Sequence, residues 1–216
     1  MTAAVIFDVE GTLVDCVPLI LESWRRTLLS AGHSFTLKDL QAYSGMDGEW
    51  MLERLLPGSG AELRQKLLEE QGKVYRADFI RQAPPCNGVR PLFEELKGRG
   101  VAIGIATTCN ATDLAIYDER MKVVEIADAV SCGETVKHGK PDPALLAQCL
   151  ESLKTDGGDA AVAVGDTPFD AMAGKALGMR CVGLLTGGFS AAILTGAGHD
   201  YVFDEVRQVS SLWDAR

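Results

Sequence analysis

The sequence predicts an α/β fold in which helices connect the strands of a parallel sheet and a helical lobe is inserted after the first strand. Three observations support this prediction. Short apolar runs alternate with helical stretches from residue 88 onward, a pattern typical of parallel βαβ units. A further apolar run stands alone near the start of the chain. Between the two, residues 17–83 carry apolar side chains at helical spacing and no convincing strand.

Length, charge and composition limit the classes of function. The chain has 216 residues, enough for one large core and a small second lobe. Its net charge of -9 and its lack of a basic cluster argue against binding of nucleic acid. No segment approaches the roughly 18 apolar residues of a membrane span, and the start lacks a signal-peptide pattern. We therefore expect a cytoplasmic protein without a membrane partner, whose oligomeric state the sequence does not specify.

The first strand is predicted at residues 3–7, and the helical lobe follows it. Gly32, Gly45 and the turn at 57–60 divide the lobe into several helices. Two hinges, at 14–17 and 84–88, connect the lobe to the rest of the chain. We expect a core domain made of residues 1–15 and 88–216 and a cap domain made of residues 16–87.

The second part of the chain supplies the remaining elements of the sheet. Strands are predicted at 101–106, 129–132, 160–164, 181–185 and 201–203, and helices at 111–122, 141–153 and 168–177. Six cysteines are scattered without a C-x-x-C pair, which predicts free thiols rather than a zinc site or a disulfide framework.

Polar residues follow four of the predicted strands, at the carboxyl ends where parallel sheets bind their ligands. They are Asp8 and Glu10, Thr107 and Thr108, Lys140, and Asp166 and Asp170. Because the carboxyl ends of parallel strands face one edge, we expect the four sets to converge on one crevice.

These residue types suit the chemistry of a phosphate ester. A carboxylate such as Asp8 can act as a nucleophile, and a second one, Glu10, as general acid and base. The Thr107 hydroxyl, the backbone N–H groups around Thr108 and the Lys140 ammonium would stabilise charge on the phosphoryl oxygens. Lys140 would also neutralise Asp8.

Asp166 and Asp170 add carboxylates without an obvious basic partner, which indicates a hard cation such as Mg²⁺. Each of these residues also has a purely structural interpretation. Asp166 would serve as a helix cap, and Asp170 would favour the positive end of a helix dipole. The joint order and spacing of the four sets favour a catalytic site.

The motifs resemble those of the haloacid dehalogenase superfamily of hydrolases. The matching segments are 8–15 (DVEGTLVD, compared with D-x-D-G-T-L-x-D), Thr107, 139–143 and 164–170. The helical insert resembles the mobile C1 cap of the phosphoglycolate-phosphatase-like subgroup. The resemblance implies a Rossmann-like three-layer core with a helical cap.

The resemblance also implies a Mg²⁺-dependent phosphomonoester hydrolase that acts on a small phosphorylated metabolite. An aspartyl-phosphate would form at Asp8, and Thr107 and Lys140 would hold the phosphoryl group. Glu10 would protonate the leaving alcohol and then activate water. The metal ligands would be Asp8, the backbone carbonyl of Glu10, Asp166, and Asp170 directly or through water.

Glu10 departs from the family pattern, in which most phosphatases have Asp at this position. The extra methylene moves the carboxyl by about 1.5 Å, and an error of that size can lower a rate about a hundredfold. Because of this departure, a catalytically weak phosphate-binding or regulatory protein stays open as an alternative. A hydrolase of carbon–phosphorus or carbon–halogen bonds is a further alternative, although the acid at position 10 and the intact Gly-Asp-x-x-x-Asp pattern argue against it. The enolase-phosphatase branch resembles this chain in having D-x-E-G-T.

The cap is expected to select the substrate. Asp47, Trp50 and Arg54 follow Gly45 and are predicted to reach the crevice when the lobes close. The alternative is that Trp50 belongs to the helix core and that the charged residues form a solvated face.

Overall fold

A six-stranded parallel sheet forms the centre of the structure, a computed structural model that describes residues 4–155 and 158–214. The strands are β1 (Ala4–Phe7), β2 (Ala102–Ala106), β3 (Ala129–Ser131), β4 (Ala161–Gly165), β5 (Arg180–Leu184) and β6 (Tyr201–Phe203). Their order across the sheet is β3-β2-β1-β4-β5-β6. The predicted α/β fold with a parallel sheet is confirmed. Of the first predicted strand, Ala3 lies outside the described residues.

The first four helices that follow β1 in the sequence form a group of their own, which we call the cap. They are α1 (Val17–Ser30), α2 (Leu37–Gln41), α3 (Gly48–Leu55) and α4 (Ala61–Asp78). The cap has its own apolar cluster, in which Leu28, Leu40 and Leu52 are fully buried. Burial of a Leu contributes about 2 kcal/mol, so this cluster holds the short helices together.

The two chain segments that connect the cap to the sheet lie side by side. Val14 pairs antiparallel with Pro85. The Asp15 N–H donates to the Pro84 carbonyl at 2.9 Å, and the Cys86 N–H donates to the Leu13 carbonyl at 2.8 Å. These bonds fix where the cap joins the core.

Five further helices cover the sheet: α5 (Val89–Gly98), α6 (Ala111–Met121), α7 (Ala144–Leu153), α8 (Pro168–Ala176) and α9 (Ala191–Ala197). Successive side chains of β1 point to opposite faces. Val5 and Phe7 pack in one apolar cluster with residues of α5 and α6, and Ala4 and Ile6 in another with residues of α7 and α8. The result is the expected three-layer core.

Three helix boundaries differ from the prediction, and one of them is the end of α8, which lies at Ala176 rather than at 177. α6 ends one residue earlier because Lys122 adopts the left-handed conformation, with φ of 56°. α7 begins at Ala144 rather than at 141. A turn precedes it, closed by a 3.1 Å bond from the Asp142 N–H to the Gly139 carbonyl. Among the helices in the described part of the chain, none has both the length and the apolar character needed to cross a membrane.

Candidate active site

Asp8 is the first residue after β1, and it is held in line with the sheet. Its N–H donates to the Val164 carbonyl of β4 at 2.9 Å. Its side chain is buried, and Oδ2 lies 2.8 Å from the Lys140 ammonium. Because β1 lies between β2 and β4, the carboxylate stands at the middle of the sheet edge.

Lys140 joins two carboxylates in the interior. Its Nζ lies 2.7 Å from Asp170 Oδ1, and only 3% of the residue is exposed. The other Asp170 oxygen accepts bonds from the Thr167 N–H at 3.0 Å and from the Thr167 hydroxyl at 2.6 Å. Asp170 therefore completes the capping box that begins α8 and also orients the ammonium toward Asp8.

Asp166 is fully buried at the end of β4. Its Oδ1 accepts a 2.7 Å bond from the Thr12 hydroxyl, whereas Oδ2 has no hydrogen-bond partner among the described residues. Two glycines surround this free oxygen. A Cβ at Gly11 would lie 2.2 Å from it and a Cβ at Gly187 would lie 2.1 Å from it. Side chains at either glycine would displace the carboxylate.

These three aspartates form a group suited to a divalent cation. Asp8, Asp166 and Asp170 each offer an oxygen, and these oxygens lie within 4.8 Å of one another. Within residues 4–155 and 158–214, Asp8 Oδ1 is a second buried oxygen without a partner. Asp8 and Asp170 share the Lys140 ammonium, which leaves an excess of negative charge among the three buried carboxylates, and buried charge of one sign requires compensation. Carboxylate oxygens are the ligands that Mg²⁺ prefers, so the residues fit the metal.

The pKa values of these groups reflect the same excess of buried negative charge. Burial raises the pKa of Asp8 to about 6, although the charge of Lys140 opposes this change. Burial, and then the charges of Asp170 and Asp8, raise the pKa of Asp166 well above its usual value. Burial alone would lower the pKa of Lys140, but the charges of Asp170 and Asp8 outweigh it and raise that pKa. A bound cation would lower the carboxyl values.

Glu10 lies in the turn after Asp8, with its carboxyl facing a core helix. Its Oε1 accepts a 2.9 Å bond from the Tyr117 hydroxyl of α6. Burial raises the pKa of Glu10 to about 7, and the bond from Tyr117 lowers it only in part. A carboxyl with such a pKa is suited to proton transfer near neutral pH.

The two threonines after β2 have different surroundings. Thr107 is fully buried, its N–H donates to the Ser131 carbonyl at 3.0 Å, and its hydroxyl accepts the Cys109 N–H at 3.2 Å. Thr108 lies in the wall of the crevice. A Cβ at Gly133 would lie 2.1 Å from the Thr108 carbonyl, so this backbone passes very close to a neighbouring loop.

A cavity of about 380 Å³ lies between the core and the cap. Its core wall includes Asp8, Glu10 and Asp166, and its cap wall includes Asp47 and Arg76. The predicted convergence of the strand ends therefore produces a crevice that the cap covers. The Arg76 guanidinium lies 3.2 Å from Asp113 of the core.

The predicted substrate-binding residues of the cap are divided between the cavity and its surroundings. Asp47 lies in the cavity wall. The Trp50 ring stacks on His138 of the core with ring centres 5.3 Å apart. The exposed Arg54 guanidinium donates to the Trp50 carbonyl at 3.0 Å. The structure thus brings Asp47 to the crevice, whereas Trp50 and Arg54 do not line it.

Two buried tyrosines near Glu10 were not recognised from the sequence. The Tyr75 hydroxyl of α4 lies 2.6 Å from the Tyr117 hydroxyl of α6. Neither residue belongs to a motif, and each occupies a helix position where an apolar residue would fit. The sequence offers one indication of such residues, a tyrosine on the predicted buried face of a helix, because its hydroxyl needs a hydrogen-bond partner.

Comparisons with known proteins agree with this geometry. Residues 5–184 match the family of haloacid dehalogenase-like hydrolases. A phosphoglycolate phosphatase of Cereibacter sphaeroides is 27% identical over 213 residues, which cover 96% of each chain. A phosphorylated carbohydrates phosphatase of Thermotoga maritima is 29% identical over 154 residues, 69% of this chain and 70% of that one.

A comparison with solved structures agrees with the family match. The crystal structure of a hydrolase from Pseudomonas syringae superposes with a TM-score of 0.90 at 25% identity, and 97% of each chain is covered. The family match over residues 5–184 includes three of the four residues of β1, all of β2 to β5 and every motif described above. The chain therefore belongs to the family of haloacid dehalogenase-like hydrolases.

Proposed function

We propose that this hydrolase is a Mg²⁺-dependent phosphatase that cleaves a small phosphorylated metabolite through a phosphoryl group carried on Asp8. The observation that supports it most is the arrangement of Asp8. This buried carboxylate lies beside an ammonium and two further aspartates at the base of a covered cavity. Relatives named as phosphatases of phosphoglycolate and of phosphorylated carbohydrates support the reaction class.

In the first step, a carboxylate oxygen of Asp8 attacks the phosphorus, and the bond from phosphorus to the leaving oxygen breaks. Glu10 gives its proton to that oxygen, so the product departs as an alcohol. Lys140 and the hydroxyl of Thr107 with the N–H groups near Thr108 balance charge on the phosphoryl oxygens. Of these, the ammonium of Lys140 is already within 2.8 Å of Asp8.

In the second step, the ionised Glu10 takes a proton from water, whose oxygen attacks the phosphorus. The bond between phosphorus and Asp8 breaks, which releases inorganic phosphate and restores both carboxyl groups. Asp8, the backbone carbonyl of Glu10, Asp166 and Asp170 would hold Mg²⁺. When bound, the ion reduces the repulsion between an anionic nucleophile and an anionic substrate.

The cap supports the assignment of a small substrate. It covers a cavity of about 380 Å³, which admits a metabolite and excludes a folded macromolecule. All six cysteines are free thiols, as expected for a protein of the reducing cytoplasm, and we assign the reaction to that compartment.

A panel of phosphorylated metabolites, assayed for released phosphate with and without Mg²⁺, tests the proposal. We expect Mg²⁺-dependent release from at least one alkyl phosphate, with phosphoglycolate and sugar phosphates tested first. Release of halide from a haloacid, or of an aldehyde from a phosphonate, without phosphatase activity would contradict it. Binding of phosphate without turnover would indicate the regulatory alternative.

A further inference from the structure

The general acid and base of the proposed reaction is tied to the cap by a chain of two tyrosines. The Tyr117 hydroxyl donates to Glu10 Oε1 at 2.9 Å. The Tyr75 hydroxyl lies 2.6 Å from that of Tyr117. Tyr75 comes from α4 of the cap, and Tyr117 from α6 of the core. The chain therefore crosses the boundary between the two lobes.

While Glu10 is ionised, the hydrogen bonds among Tyr75, Tyr117 and Glu10 run in one donor-to-acceptor direction. A tyrosine hydroxyl carries one proton, so a Tyr117 that donates to Glu10 accepts from Tyr75. Tyr75 and Tyr117 are 4% and 3% exposed, so both hydroxyls need hydrogen-bond partners. A buried hydroxyl that loses its partner is costly, so the chain favours the arrangement in which all three groups meet.

The side chain of Glu10 is one methylene longer than the Asp of most family phosphatases, and the two tyrosines restrict where its carboxyl can lie. A longer side chain has one more rotatable bond than Asp, and thus more positions for its carboxyl. The bond from Tyr117 selects one of them. Glu10 and Tyr75 both line the cavity, so the bond from Tyr117 fixes the carboxyl of a residue that borders the space for the substrate.

We propose that Tyr117 and Tyr75 are positioning residues that hold the Glu10 carboxyl for proton transfer only while the cap is closed. Separation of α4 from α6 removes Tyr75 and leaves the Tyr117 hydroxyl free to turn away from Glu10. The cap then controls the acid and base as well as the access of substrate. This inference rests on the role of Glu10 in the proposed function.

The test compares an alkyl phosphate with p-nitrophenyl phosphate. The nitrophenolate ion leaves without a proton, whereas an alkoxide needs one from Glu10. Values of kcat/KM report the steps up to release of the alcohol. We expect Tyr117→Phe to lower kcat/KM at least tenfold more for the alkyl phosphate of the panel that is turned over fastest than for p-nitrophenyl phosphate. Tyr75→Phe should act in the same direction with a smaller effect.

Two controls separate positioning from general damage. Tyr201→Phe removes a hydroxyl from an exposed residue of β6 and should leave both substrates unaffected. In the Glu10→Asp background the shorter carboxyl no longer depends on Tyr117, so adding Tyr117→Phe should change kcat/KM less than about twofold. Thermal unfolding verifies that each variant is folded.

The outcomes are distinct. An equal loss for the two substrates, a Tyr75→Phe variant indistinguishable from the wild type, or full additivity with Glu10→Asp would overturn the proposal. A wild-type protein without turnover of any phosphate ester would instead overturn the proposed function.

Discussion

The Asp47 carboxylate of the cap accepts a 2.8 Å hydrogen bond from the backbone N–H of Gly139, the residue before Lys140. The Asp47 N–H returns a 2.8 Å bond to the Lys140 carbonyl. The second carboxylate oxygen caps α3, where it accepts the N–H groups of Glu49 at 3.0 Å and Trp50 at 3.2 Å. One side chain thus fixes the start of a cap helix and attaches it to the loop that supplies the buried ammonium of Lys140.

Asp47→Ala should weaken the closed arrangement of cap and core. Loss of the N-cap lowers stability by about 1 kcal/mol. Loss of the bond from Gly139 should lower kcat/KM about tenfold. Asp39→Ala is the matched control, because Asp39 accepts the Thr36 N–H at 2.8 Å in the capping box of α2 and is exposed. Steady-state kinetics of the two variants test this prediction. Equal losses of kcat/KM in both would contradict a role for the contact between Asp47 and Gly139.

Asp8→Asn should abolish phosphate release. An amide at this position lacks the nucleophilic oxygen, and it also removes one of the carboxylates around Lys140. The melting temperature should stay the same or rise, since the variant relieves buried negative charge. Asp15→Asn, at an exposed position near the hinge, should retain wild-type rates. Turnover by Asp8→Asn above about a thousandth of the wild-type rate would argue against Asp8 as the nucleophile.

Glu10→Ala should slow turnover far more than Glu10→Asp does. Alanine removes the proton donor, whose contribution is up to about ten-thousandfold, whereas a displacement of the carboxyl costs about a hundredfold. Asp retains a carboxyl displaced by about 1.5 Å. Hydrolysis of the best alkyl phosphate, measured for the three proteins side by side, provides the comparison. Unchanged turnover in Glu10→Ala would remove the assignment of this residue as acid and base.

Asp166→Asn should remove the response to Mg²⁺. The ion should raise the melting temperature of the wild-type protein, because a ligand that binds only the folded state stabilises it. The variant lacks the buried Oδ2 charge between Gly11 and Gly187, so its melting temperature should not change on addition of Mg²⁺. Chelation should stop wild-type turnover reversibly. A wild-type protein that shows no thermal shift with millimolar Mg²⁺ would contradict the metal site.

The sheet and its motif residues were predictable because both depend on local patterns. The apolar run of β1 and the carboxylates after it are adjacent in sequence, and parallel pairing brings Asp8 and Asp166 together. The attachment of Asp47 to Gly139 was not predictable, because 92 residues separate the two groups. The same is true of Glu10 and Tyr117, which are 107 residues apart. Such contacts depend on how the cap rests on the core.

The first turn of α7 illustrates a second limit. Pro141 favours a helix start, and the sequence predicted one there. In the structure residues 139–142 form a turn, closed by the bond from the Asp142 N–H to the Gly139 carbonyl, and the helix starts only at Ala144. The side chain of Lys140 on this turn contacts Asp8 and Asp170, and these contacts with distant residues are not visible in the local sequence.

Because of Asp200, which lies near the edge of the sheet, the free energy of unfolding should fall at acid pH. Its carboxylate accepts the Cys181 N–H of β5 and the Lys175 ammonium, each at 2.7 Å. Burial opposes ionisation, but these two bonds, aided by the charges of Lys175 and Arg180, hold the pKa of Asp200 below its usual 3.8. A depressed pKa contributes stability above the unfolded value, and that contribution disappears as the pH falls through the folded value.

Asp200→Asn tests this dependence by thermal unfolding between pH 7 and pH 3. At pH 7 the variant should be less stable by about 0.2–1 kcal/mol, because the ion pair is partly exposed. As the pH falls below about 4 the wild-type protein loses this advantage, so the two stability curves should converge. Asp204→Asn, at an exposed position after β6, should run parallel to the wild type. Parallel curves for Asp200→Asn as well would mean that the carboxylate contributes nothing that depends on its charge.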